Sequence, residues 1–184
     1  MTTAQAESTI PTGTWQSDPV HSSVGFAVRH AVGTFRGSFG EFEATLSSEG
    51  GGPKLSGRVP VESVQVKEEN LEAHLLSPEF FDKDQAPEIT FESTRIASEH
   101  GGLVVDGALS VKGTSRTVKA QGTLNGPIPG PDGNDRLGID LETIVDRHDY
   151  GLDWNMDLPD GTKMLGDEVT LIVHLELVKV EPDR

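Results

Sequence analysis

No cysteine occurs anywhere in the chain, so disulfides, thiolate nucleophiles and Cys-based metal sites are all excluded. Basic residues are scarce, 15 against 30 acids, for a formal charge of −15. Phosphate backbones and anionic lipid surfaces both recruit clusters of Lys and Arg, so this balance argues against nucleic acid and against docking on anionic membranes. The same charge serves plain solubility, and if the ligand is a lipid it favours a neutral head group over an exposed pyrophosphate. No stretch approaches the roughly 18 apolar residues of a membrane span. The opening MTTAQAESTIPTGTW has neither the basic n-region nor the apolar h-region of a secretory signal, and a cytoplasmic protein is expected from it. Aromatic residues make up only 5% of the chain, yet Phe26, Phe35, Phe39 and Phe42 crowd one short stretch. Such an uneven supply fits either a loosely packed core or a cavity filled by a ligand.

Reactive constellations are equally sparse. The six histidines are scattered, with no HxH, HxxxH or HExxH, so the spacing that metal ligation demands is missing and no metal is expected. Nothing resembles GxSxG, and Gly50–Gly51–Gly52–Pro53 lacks the strand-to-helix context and the Lys of a phosphate loop. The densest titratable segment is Arg147–His148–Asp149–Tyr150–Gly151. It reads either as an acid–base pair, His148 with Asp149, acting on a small apolar substrate, or as a strand end with a solvated charge cluster.

What the chain does have is alternation. Val24, Phe26, Val28 and His30 share one face of a strand, with Gly33 and Gly37 bracketing a turn behind it. Phe42, Ala44 and Leu46 are in phase, while Phe39 is out of phase across Gly40, which predicts a bulge. Leu55 to Val61, Ile89 to Phe91, Leu103 to Val111, Val118 to Leu124, Leu137 to Leu141 and Val169 to Leu177 alternate in turn. Lys112–Gly113–Thr114 is a tight turn, and Gly126 to Asp135 a longer loop. The pattern predicts an all-β fold, an antiparallel barrel of about eight strands, closed because closure removes the edges. Residues 70–82 break it with a short helical insertion, capped first by Asn70 and then by Ser77 ahead of Pro78. Residues 1–12 read as a disordered tail and 13–180 as a single domain.

Taken together, several segments resemble the YceI-like, polyisoprenoid-binding family. The resemblance rests on Asp18–Pro19–Val20–His21–Ser22 with the strand to His30, Gly37–Ser38–Phe39 with Phe42, and NLEAHLLSPEFFDKDQAPEITFEST. Gly107 to Gly113, the Arg147–Asp149–Tyr150–Gly151 element and the closing strand Asp167 to Leu177 complete it, in order, over residues 14–178. Two departures stand out. Leu71–Glu72 replaces the family's Arg-Asp pair, and Tyr150 replaces Phe in the Arg-x-Asp-Phe-Gly element.

The resemblance implies a lipocalin-like extended barrel around an apolar tunnel that holds an isoprenoid lipid, for example a quinone, with no cofactor required and no catalysis. On that basis Phe26, Val28, Phe39, Phe42, Phe91, Leu109 and Val111 are candidate tunnel walls. Leu75, Leu76, Phe80 and Phe81, with Trp154, Met156 and Met164, are candidate ends or lids, though they serve equally as core. His30, Arg147 and Tyr150 are candidate head-group contacts, His30 being alternatively a polar end-cap of the core. A homodimer is compatible with such a barrel.

Overall fold

The computed structural model describes residues 10–181. Eleven strands follow one another: β1 Gly13–Ser17, β2 Ser23–His30, β3 Gly33–Phe39, β4 Glu43–Ser48, β5 Lys54–Pro60, β6 Val64–Gln65, β7 Glu88–Glu99, β8 Gly102–Val111, β9 Thr114–Pro129, β10 Asp135–Asp146 and β11 Leu165–Val180. One helix, α1 Glu69–Leu76, interrupts them, with 3-10 turns at Val61–Ser63 and Arg147–Tyr150. All pairings are antiparallel, and eight strands close in the order β1-β4-β5-β7-β8-β9-β10-β11 and back to β1. The result is an all-β, lipocalin-like closed barrel.

Closure depends on the length of β11. One of its edges pairs with β10 from Asp146↔Glu168 to Arg136↔Val178. The other edge is shared, by β1 at Leu177 to Val180 and by β2 from His174↔Ser23 down to Leu165↔His30. The β2–β3 hairpin therefore continues the wall beside β11, and β3 meets only the two residues of β6 beyond it. The helical insertion covers that opening: the Phe81 ring meets Phe26 and Phe39 at centroid distances of 6.3 and 5.9 Å.

Alternation places two apolar clusters inside. At one end Trp15, Leu46, Leu55, Leu103, Val105, Leu137, Ile139 and Leu177 pack solidly, with Ile10 against them. That end is tied outside by Arg136, which donates to Asp18 at 3.0 Å and to Glu176 at 2.8 Å. The other cluster surrounds Phe26, Phe39, Leu109 and Tyr150. Phe42 and Phe91 touch both clusters and mark the boundary between them.

Several local expectations change. Gly33 to Gly37 is not a turn but part of β3, where Gly37 lies opposite Phe26; the real turn is Ala31–Val32, with Ala31 at φ 49°. Phe39 is not bulged but ends β3, paired with Val24 and Val64. Asn70 does not cap α1, because the Glu68 carboxylate reaches the amides of both Asn70 and Leu71. Ser77 both closes α1, its hydroxyl donating to the His74 carbonyl at 2.6 Å, and starts the expected turn, its hydroxyl accepting from the Glu79 amide at 3.3 Å and its carbonyl from the Phe80 amide at 3.0 Å. The Gly126–Asp135 loop shrinks because β9 and β10 stay paired out to Asp135↔Pro129. Lys112–Gly113 is a two-residue turn with both φ values positive, 50° and 77°, the geometry that matches strand twist. Of the expected 1–12 tail, residues 1–9 fall outside the described residues, while Ile10 packs against the core.

Candidate functional site

The second half of the barrel is hollow. It encloses a cavity of about 650 Å³, within the range of small-molecule sites. Inward-facing residues of eight strands line it, together with Phe42 just ahead of β4: Phe26 and Val28, Phe35 and Phe39, Val59, Phe91, Leu109 and Val111, Val118, Val145, and the row Val169, Leu171 and Val173 of β11. Phe91, Val145 and Leu171 point inward yet are only half-buried, because part of their surface faces the lumen. All seven candidate wall residues stand on this surface. The β11 row was missing from the candidates; its alternation was legible but reads the same for a filled core as for a hollow one.

Two segments cover the cavity. Leu75, Phe80 and Phe81 come from α1 and the turns after it, and Leu152, Trp154 and Met164 from the loop that leads into β11, with Leu165 at the first position of that strand. His74 joins them, edge-on to both Phe80 and Trp154 at 4.8 Å. Leu76 packs behind the cluster and does not line the cavity. Met156 is not part of a lid either: it is 52% exposed and does not line the cavity, whereas Met164, whose backbone N–H donates to the Met156 carbonyl, does.

The 3-10 turn Arg147–Tyr150 positions the polar side chains. Asp146 starts it by accepting from the His148 amide at 2.9 Å, and Gly151 ends it in the left-handed region at φ 73°. In a 3-10 helix positions i and i+3 lie on one face, and Arg147 and Tyr150 are both buried and both line the cavity. The Arg147 guanidinium donates to the carbonyls of Gly166 at 2.8 Å, of Trp154 at 2.9 Å and of Leu152. It thereby straps the covering loop to the barrel. Nη2 of Arg147 and the hydroxyl of Tyr150 are buried with no hydrogen-bond partner. Burial, with Asp149 adding to it, pushes the Tyr150 phenol above its ordinary pKa, so it stays a donor. His30, the third head-group candidate, lies on the exposed rim of the cavity at the end of β2.

His148 faces the other way. Its two ring nitrogens meet Asp153 at 2.9 Å and Asp167 at 3.0 Å, bridging the covering loop to β11, while Asp149 is not among its partners. These two carboxylates raise its pKa above the ordinary value, Asp153 first. A raised folded-state pKa stabilises below the unfolded value of about 6.5 and loses that contribution as pH climbs through the folded one. The stability difference between wild type and His148→Gln is therefore expected to shrink as pH rises from about 6 to about 8. Paired denaturant melts across that range check this, and a difference independent of pH would reject the bridge. At the packed end Asp18, His21 and Glu176 also converge, and the cation among them is the Arg136 side chain.

The model of a family described as the YceI-like domain matches residues 15–177. A UPF0312 protein of Staphylococcus aureus (strain N315) is 29% identical over 157 residues, 83% of this chain and 90% of its own length. Among solved structures, Burkholderia cenocepacia BcnA superposes with a TM-score of 0.73 at 20% identity, covering 89% of this chain and 99% of that one. A polyisoprenoid-binding domain from Saccharophagus degradans superposes with a TM-score of 0.63 at 11% identity, covering 92% of this chain and all of its own. No helix of the described residues is long and apolar enough to cross a membrane.

Proposed function

We propose that this chain, which belongs to the YceI-like domain family, binds one long isoprenoid lipid of the polyprenyl or prenylquinone type and sequesters or carries it without catalysis. The observation that carries this reading is the hollow half-barrel, about 650 Å³ with aliphatic and phenylalanine walls. Each buried methylene contributes roughly 0.8 kcal/mol, so such a lumen can hold a branched chain with few polar contacts. The similarity to a polyisoprenoid-binding domain points to the same ligand class. His148 offers no catalytic alternative that the geometry favours, since both of its nitrogens are engaged by carboxylates outside the lumen.

Organic extraction of the purified protein followed by mass spectrometry is expected to release a prenyl lipid in near-stoichiometric yield. Taking roughly 30 Å³ per carbon-sized atom, the cavity takes about 20 atoms, or four isoprene units. Affinity for added prenyl chains should accordingly rise with length to about four units and then level off. Protein that carries no prenyl lipid and takes up none of the added chains would end this reading.

A further inference from the structure

Resting on that reading, two buried polar side chains beside the lumen bear on which end of the ligand goes where. Arg147 and Tyr150 are 4% and 3% exposed, and both line the cavity. Three nitrogen–carbonyl bonds occupy part of the Arg147 fork, and Nη2 is left over. Among the described residues the guanidinium has no ion-pair partner, as its strap is made entirely of backbone carbonyls. The Tyr150 hydroxyl, one 3-10 turn on, has no partner either. A buried donor without an acceptor is costly, and a buried cation without a counter-charge more so. Two such donors lie on one face of one turn, beside a cavity whose lining is mainly apolar, with Glu43, Arg58 and Glu142 on β4, β5 and β10. Both atoms have almost no exposed surface, so an acceptor arriving from the lumen meets them through a small shift of the two side chains.

We propose that Arg147 and Tyr150 form a head-group seat, and that the ligand enters with an oxygen acceptor leading, a carbonyl or a carboxylate that accepts from Nη2 of Arg147 and from the Tyr150 hydroxyl. The prenyl tail then runs between the β2–β3 hairpin and β8, past Phe26 and Leu109. His148 and Asp149, exposed on the opposite side of the turn, take no part.

The test compares three twenty-carbon prenyl probes with the same chain: the acid, a methyl ketone and the hydrocarbon. Affinities are read by quenching of tryptophan fluorescence for wild type and for Tyr150→Phe, which fills the same space without the hydroxyl. Wild type is expected to bind the acid and the ketone about ten- to a hundredfold more tightly than the hydrocarbon. Tyr150→Phe should cut that margin several-fold by weakening the two oxygen probes, with the hydrocarbon measured alongside to separate loss of the seat from a change in the lumen. The stronger of the two oxygen probes identifies a charged or a neutral head. Equal binding of all three probes, or a margin untouched by Tyr150→Phe, would overturn the seat while leaving the apolar lumen standing. Failure of every probe, the hydrocarbon included, would instead strike the lipid-binding reading itself.

Discussion

Arg147→Met is expected to lower the stability of the protein by about 3–5 kcal/mol and to free the loop that covers the cavity. Methionine matches the length of the stem but donates nothing, so the carbonyls of Leu152, Trp154 and Gly166 lose their partner together. Hydrogen bonds from a charged donor contribute roughly 1.5–3 kcal/mol each. Part of that loss is offset, because the variant no longer buries a cation. The three carbonyls lie on the segment that also carries Leu152, Trp154 and Leu165 into the lumen, so local opening should precede global unfolding. Urea melts give the stability change, and amide exchange over residues 152–166 reports the loop. Arg147→Lys, which keeps the charge but not the fork, should recover only part of the loss. A destabilisation below about 1 kcal/mol with unchanged exchange would show that the strap is held by something else.

The barrel was legible because its strands announce themselves by period-2 alternation, from Val24–His30 to Val169–Leu177. Where single strands failed to show, the reason is local. β1 sends one large side chain inward, Trp15, and five residues cannot display a period through one residue. Gly33 and Gly37 look like turn punctuation, yet only the first stands beside a turn, while Gly37 is a strand residue kept small by the ring opposite it. The cap of α1 escaped because glutamate is an uncommon cap and Asn70, two residues further on, is a favoured one. The role of Arg147 was the least visible. Its partners are backbone carbonyls, which leave no trace in side-chain identity, so sequence could single out the residue but not its burial or its strap. Met156 and Met164 illustrate the same limit: both look alike in the sequence, but only Met164 lines the lumen.

Gly37→Val is expected to weaken binding of a twenty-carbon prenyl chain by roughly thirtyfold while the barrel still folds. Gly37 needs no special backbone conformation, as its φ lies outside the left-handed region. What it provides is room: a Cβ there would come within 2.8 and 3.1 Å of the Cε1 and Cε2 atoms of Phe26, tighter than a normal contact. The glycine therefore lets the Phe26 ring lie flat across β3 instead of standing in the lumen. Sideways escape is blocked by Phe35, Phe39 and Phe81, with ring centroids at 6.1, 5.8 and 6.3 Å. The ring pushed by a new side chain must move inward. Valine adds three carbons, roughly 90 Å³ at 30 Å³ each, a little over half the room of one isoprene unit. Excluding part of a unit costs about 2 kcal/mol of burial, hence the thirtyfold figure. Gly107, beneath the Phe91 ring, would be a poorer test, since a Cβ there also meets the Glu92 carbonyl 2.5 Å away and so disturbs the backbone. Adding Phe26→Leu to Gly37→Val removes the same three carbons from the facing side chain and should restore binding. Isothermal titration of the single and double variants measures both effects. If Gly37→Val binds the full-length chain as wild type does, the ring does not set the width of the lumen; if it weakens binding and Phe26→Leu rescues it, a glycine on one strand and a phenylalanine on the next together decide how thick a chain the barrel admits.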